Sequence, residues 1–427
     1  MATRTDKISL MGSVSLGTGV MIGAGIFALV GQVAEFAGDF FPLAFLFGAI
    51  VAAISSYSYV RYSRVNPSSG GIAMLLKDAY GPGVAAGSFS LFMYVSMVVA
   101  ESLLARTFGT YLLRPFGLQD SVILVPILGV AAIVTAAIVN FIGNTLVERS
   151  ATITAIAKII GIAVLAIAGL IGVAAGGDGF LSKSSGDSLS IVGVLAGTTL
   201  CVLAYKGFTT ITNQGDDIRD PKRNIARSIL ISLAICTFLY LLITVSVSSS
   251  IGASGAVDAR NYALAQAAEP FFGAWGVGIT VAIAVVATLS GLLASLYSVS
   301  RLYGMLQEMK QAPSLPKSVP HQPMIITAGL AILVTVFLDL SQIASMGVFL
   351  YLTMDMAVQW GVIRRLRAKI EARIWLPVLT IVLDLAILIP FAVLKIQSDL
   401  FTVIVAAVVA AAIVAAQVVT VRTRSQR

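Results

Sequence analysis

Two stretches of this 427-residue chain place chemistry inside apolar runs. In LCVLAYKGFTTI, from Leu200 to Ile211, the ammonium of Lys206 follows Tyr205 and precedes Gly207. A charge near the centre of a bilayer costs at least ~2.5 kcal/mol. A glycine costs a helix about 0.5–1 kcal/mol relative to alanine. In GTGVMIGAGIFALVG, Gly17, Gly19, Gly23 and Gly25 interrupt a second apolar run. Irregular backbone at membrane depth persists only where protein or a water-filled cavity receives its polar groups. Unwinding across Ile22 to Gly25 would free the N–H groups of Gly23, Ala24 and Gly25 at a half-helix N-terminus, which suits a carboxylate. Freed carbonyls across Ala204, Tyr205, Lys206 and Gly207 suit an ammonium group. Together they complement an α-amino acid. Close helix packing through small residues is the competing explanation, and Gly19 to Gly23 has the GxxxG spacing. Two interrupted stretches at matching positions favour a binding site.

Further ionisable groups fall within apolar segments. Lys158 stands in ITAIAKIIGIAVL, and Glu101 in VSMVVAESLLARTFGTYL with Arg106 five residues on. Asp355 and Asp384 are open to roles as proton sites, as paired groups, or as residues of a watery vestibule. Asp339 reads as a helix-end residue and His321, in LPKSVPHQP, as a solvated loop residue. Ionisable groups inside membranes are functional by default, although a lysine with a long stem can also snorkel to the interface.

The elements that must position these groups follow from composition. The chain is 58% hydrophobic and 11% charged, with mean hydropathy +0.96. A soluble domain carries about 25% charged residues, so the fold class is an all-α polytopic membrane protein. Apolar stretches of spanning length occur at about 8–34, 41–62, 83–113, 121–143, 150–175, 188–212, 226–250, 273–303, 324–340, 343–363, 374–394 and 399–421, which predicts twelve transmembrane helices. The whole chain, 1–427, reads as one transport domain, with repeat one at about 8–175, repeat two at about 188–363 and two appended helices at about 374–421. The loops near 64–82, 176–188 and 251–272 are the longest. The first apolar segment reads as a retained helix, with no convincing cleavage site. Cys201 and Cys236 fall within spans and offer no disulfide framework.

With alternating spans, Arg114, Lys183, Arg260 and Lys395 fall on the side away from the termini, and Arg106, Lys158 and Lys206 lie within spans. The remaining Lys and Arg are on the terminus side, so both termini are expected in the cytoplasm of a cell (inner) membrane protein. The net charge of +8 then reflects short loops rather than nucleic acid. The sequence lacks the G-x-x-x-x-G-K-[ST] loop of direct ATP use, and one histidine with two separated cysteines makes no metal cluster. No cofactor and no enzymatic activity is expected.

GVMIGAGIF resembles the G-x-G-I-F signature of the amino acid–polyamine–organocation (APC) superfamily. NPSSGGIAMLLKDAYGPG resembles that superfamily's P-x-x-G-G loop, AYKGFTTITNQGDDIRDPKRNIARSI its helix-6 core and following loop, and SVSRLYGMLQEMKQAPSLP its S-R-x-x-Y…P run. Ile72-Ala73 depart from the usual aromatic, Asp220 from the asparagine before Pro221, and Ala226 from the second proline. The resemblance implies a leucine-transporter-like fold: an inverted five-plus-five repeat with broken helices 1 and 6. It also implies secondary transport of amino acids or related amines by alternating access. In similar members a helix-5 lysine replaces sodium, which casts Lys158 as a coupling residue reaching carbonyls near Val20 to Ile22 and a helix-8 hydroxyl, Ser290 first and Thr288 second. Helices 3 and 6 both face the central site in that fold, so Glu101 is expected to pair with Lys206. Alternatively Lys206 snorkels, donates to helix-1 carbonyls or reads the substrate. A proton-coupled secondary transporter of amino acids or related amines is the expectation. A sodium-independent exchanger, a passive channel and a transporter-like sensor are the rivals.

Overall fold

Backbone buried in lipid must satisfy its own N–H and C=O groups, and helices do this within one segment. The computed structural model describes residues 7–425 apart from Ser69, Gly143, 177–189 and Lys317, and for Ala24, 144–153, 172–176 and 424–425 the backbone alone. Among the described residues the order is α1 (Leu10–Val20), a π-helical turn (Met21–Ile26), α2 (Phe27–Ala37), α3 (Phe41–Val65), α4 (Gly71–Tyr80), α5 (Val84–Leu113), α6 (Leu124–Ile142), α7 (Asn144–Gly176) and α8 (Ile191–Tyr205). A 3₁₀ turn (Lys206–Phe208) then leads to α9 (Thr209–Thr212), followed by α10 (Pro221–Asp258), α11 (Ala263–Glu308), α12 (Gln322–Phe337), α13 (Leu340–Gly361), α14 (Trp375–Ser398) and α15 (Leu400–Ser425). The protein is a multi-pass membrane protein.

Among the described residues, ten segments are long and apolar enough to cross a membrane, and two shorter apolar helices, Leu10–Gly23 and Gln322–Phe337, accompany them. The twelve predicted stretches are thus only partly of full spanning length. The first is cut short by the π turn, and the ninth starts at Gln322 with Pro323 and stops at Phe337. The predicted loop 64–82 contains α4, which buries Ile72, Ala73, Leu75, Leu76 and Ala79. The loop at 251–272 is largely helical, with α10 bent at Gly252 (φ 69°) and α11 at Gly273 (φ 53°). Beyond Gly176, the predicted loop 176–188 lies outside the described residues.

Local signals set the helix ends. The Ser9 hydroxyl accepts from the Gly12 N–H at 3.0 Å and caps α1. Pro221 opens α10, where its missing N–H is no loss. Asp339 and Gln342 form a reciprocal capping box at the start of α13 (2.9 and 3.0 Å). Asp339 therefore occupies the helix end assigned to it.

Burial separates central from lipid-facing helices. Of their most apolar stretches, 83% is buried in the segment Ile191–Thr212 and 78% in Val84–Phe116, against 17% in Leu400–Thr423. The interrupted helices are thus sheathed by others, while α14 and α15 show Val382, Ile389, Val408 and similar side chains outward. At one end, Ile8 and Ile218 form an isolated parallel bridge, with Ile8 N–H donating to Asp217 O at 2.8 Å and Arg219 N–H to Ile8 O at 2.9 Å. The Arg301 guanidinium pairs with the Asp217 carboxylate there.

Candidate functional site

The two interrupted stretches meet. A Cβ placed on Gly207 would lie 2.8 Å from Met21 N and 3.3 Å from Gly17 O. Only a glycine lets the 3₁₀ turn approach the π turn this closely. Gly17 repeats the device, since its Cβ would lie 2.6 Å from the Ile211 side chain. The first stretch widens into a π turn where unwinding was expected, and the second tightens into a 3₁₀ turn. Both changes shift carbonyls and N–H groups out of the i→i−4 pattern. Tyr240 of α10 takes up one of them, its hydroxyl donating to Met21 O at 2.6 Å. This clamp explains why the stretch widens without opening. Sequence reasoning missed Tyr240; its only signal was a phenol in an apolar run.

The glycines at the π turn are packed, not open. A Cβ on Gly23 would meet Leu104 at 2.9 Å and Ala287 O at 3.1 Å, and one on Gly25 would meet Ala204 Cβ at 2.7 Å and the Tyr240 hydroxyl. Bulk at Gly23 or Gly25 therefore strains the helix packing as well as any bound ligand. Ile22 is fully buried. The backbone of Ala24 belongs to the π turn.

Lys158 of α7 is buried, and its ammonium donates to Gly19 O at 3.2 Å. It thus meets the first span just before the carbonyls expected near Val20 to Ile22. Ser290 does not bond the lysine; its hydroxyl turns to Ala287 O of its own helix (3.2 Å), as that of Thr288 turns to Ala284 O (2.7 Å). In a helix, a serine or threonine hydroxyl has a carbonyl one turn back always within reach.

Lys206 and Glu101 form no ion pair. The Lys206 ammonium donates to Ser96 O at 2.8 Å and Ser96 Oγ at 2.6 Å, and lies 5.4 Å from the centre of the Tyr351 ring. Hydrogen bonds to a charged group contribute about 1.5–3 kcal/mol each, so these contacts offset much of the burial cost. They also correct the alternatives in which the lysine snorkels or donates to the first span. Glu101 turns to α11: Ser295 Oγ donates to its Oε1 at 3.4 Å, while Oε2 has no partner among the described residues. Leu104, one turn along α5 from Glu101, touches the positions of Gly23 and Gly291, which places Glu101 about one turn from the π turn. Tyr205 stacks on Tyr240 with ring centres 5.0 Å apart, and Ala204 abuts Gly25.

Two open hollows, about 520 Å³ by Arg301, Tyr297 and His321 and about 420 Å³ by Arg106 and Asp339, lie at opposite ends of α12. His321 sits at the first with its ring 5.3 Å from Phe141. Arg106 donates to Thr335 O at 2.8 Å. Among the described residues no cluster of three His, Cys, Asp or Glu could hold a metal ion.

A family model for amino acid permeases matches residues 8–425. The chain is 33% identical to the inner membrane transport protein YbaT of Escherichia coli strain K12 over 388 residues, covering 88% of this chain and 86% of that one. It is 26% identical to the serine/threonine exchanger SteT of Bacillus subtilis strain 168, covering 86% of this chain and 85% of that one. It is also 26% identical to the vacuolar cationic amino acid transporter 4 of Arabidopsis thaliana, covering 80% of this chain and 60% of that one.

Proposed function

Since the chain belongs to the amino acid permease family, we propose that it is a proton-coupled secondary transporter that moves amino acids or related amines by alternating access. The observation that carries this reading is the contact between two irregular turns at the centre of the molecule, Met21–Ile26 against Lys206–Phe208. Once the π turn opens during the cycle, N–H groups of Gly23, Ala24 and Gly25 offer a seat for a substrate carboxylate. Carbonyls of Ala204 to Gly207, with Ile22 beside them and the Glu101 carboxylate a turn away, offer one for its ammonium.

The architecture proposed is twelve crossings, with repeats at about 8–175 and 188–363 related by inversion and both termini cytoplasmic. The interrupted helices open the two repeats at matching positions, as transporters built on inverted repeats require. Lys158 is the coupling residue. Its ammonium on Gly19 O fixes the first span when charged; giving up the proton takes the charge from that bond, weakens the hold and lets the span move. Ser290 comes into this role only if its hydroxyl leaves Ala287 O during the cycle.

An exchanger is the second reading, favoured by the name of the Bacillus subtilis relative. Counterflow with no pH gradient separates the two. The test of the site itself is a thermal-shift screen of purified protein against amino acids, amines and organic acids. Compounds bearing both an α-carboxylate and an α-ammonium should raise Tm more than those lacking either group. Stabilisation by organic acids alone would contradict the two-ended site.

A further inference from the structure

Asp355 of α13 and Asp384 of α14 are both buried deep in the helix bundle, and neither is used by the site described above. Asp355 accepts from three donors. Ser55 Oγ donates to its Oδ2 at 2.7 Å, the Tyr59 hydroxyl to its Oδ1, and Gln359 Nε2 to Oδ1 at 3.4 Å. The Ser58 hydroxyl donates to Gln359 Oε1 and so turns the amide N–H toward the acid. This is the environment of a carboxylate. Asp384 is the opposite case. Neither of its oxygens finds a donor among the described residues, and the charged group it meets is the Asp355 carboxyl on the packed neighbour α13. Two ionised carboxylates repel and cannot bond; one proton between them turns repulsion into a charge-assisted hydrogen bond.

We propose that Asp355 and Asp384 form a membrane-buried protonation site that holds one exchangeable proton, resident on Asp384 and donated to Asp355. The pair then carries a single negative charge. On deprotonation the O–H bond of Asp384 breaks, its proton passes to the aqueous phase, and the pair carries two. The other ionisable groups at the pair are Tyr59 of α3 and Tyr351 of α13. Surrounding charges are matched elsewhere: Arg61 by Glu371, Asp78 by Lys369, Glu35 by Arg260 and Lys395 by Asp399. Glu101 faces Ser295.

Two connections tie the pair to the second interrupted stretch. Tyr351, whose ring lies under the Lys206 ammonium, stands one helical turn before Asp355 on α13. Tyr59, bonded to Asp355, meets the Phe208 ring edge-to-face with centres 5.6 Å apart. A change of charge at the pair therefore acts on both ends of the Lys206–Phe208 turn. This inference does not depend on the transport reading, and the test uses no substrate.

Infrared spectra of the purified full-length protein in lipid, titrated with pH in H2O and D2O, report protonated carboxylic acids by their C=O stretch. The wild type should show such a band, shifted in D2O and lost as pH rises. Asp384→Asn keeps the size and an N–H donor for Asp355, and should abolish that band; Glu101→Gln should leave it in place. If Asp384→Asn does not fold, Asp384→Glu should move the band in frequency. A missing wild-type band, a band unchanged in the Asp384 variants, or one removed by Glu101→Gln would overturn the proposal.

Discussion

Lys206 is held by a main-chain carbonyl, a hydroxyl and an aromatic face rather than by a carboxylate. Its charge is therefore not balanced by Glu101, and the two should act independently. In a double-mutant cycle of Lys206→Ala and Glu101→Ala, read as thermal stability and as substrate affinity, the coupling should stay within about 0.5 kcal/mol. Partial rescue of Lys206→Ala by Glu101→Ala would show that the pair forms in another state of the cycle. Lys158 makes the opposite kind of prediction. It holds one carbonyl of the first span through one charge-assisted bond, so Lys158→Ala should bind substrate yet lose uptake driven by a pH gradient, while exchange persists. Retention of full gradient-driven uptake by Lys158→Ala would remove the lysine from coupling. Both lysines stood out in the sequence because a cation in an apolar run has no cheap explanation. Their partners did not, since Ser96 and Gly19 are ordinary residues more than a hundred positions away and a long stem reaches many atoms.

At the scale of elements, the position of the two breaks was legible and their form was not. Glycines two residues apart, and glycine next to lysine, mark where a helix yields. Whether it then unwinds, widens or tightens depends on neighbours such as Tyr240, which bonds Met21 O from a helix distant in sequence. The same holds for α4: its ten residues looked like a loop because the run is too short to span, yet its apolar face packs against α5. Contact between the breaks can be tested with a methyl group. Gly207→Ala forces a Cβ against Met21, where overpacking costs about 1–3 kcal/mol, so both Tm and uptake should fall. Gly278→Ala on α11, where a Cβ meets nothing within 4 Å, should leave both at or above wild type. Equal behaviour of the two variants would mean that the turns are not in contact in the membrane.

Viewed as a whole, the molecule is cross-tied at the end that bears Ile8, and these ties are the proposed seal of that end. The Ile8–Ile218 bridge and the Arg301–Asp217 ion pair join the chain start, the segment after α9 and the far half of α11. Alternating access requires that seal to open, and a half-exposed ion pair contributes on the order of 1 kcal/mol, little enough to break in each cycle. Arg301→Gln should therefore speed labelling of a cysteine placed at buried Gln214 by a membrane-impermeant maleimide; Cys201 and Cys236 are buried and give a quiet background. An unchanged labelling rate would mean that the ion pair does not hold the seal. The central claim, saturable and proton-driven transport through one midplane site, is tested most directly by uptake of a radiolabelled amino acid, chosen by the thermal-shift screen, into proteoliposomes with an imposed inward proton gradient. The account predicts uptake that saturates with substrate, accumulates above the outside concentration, and collapses when the gradient is dissipated. Uptake that rises linearly with concentration and ignores the gradient would contradict it.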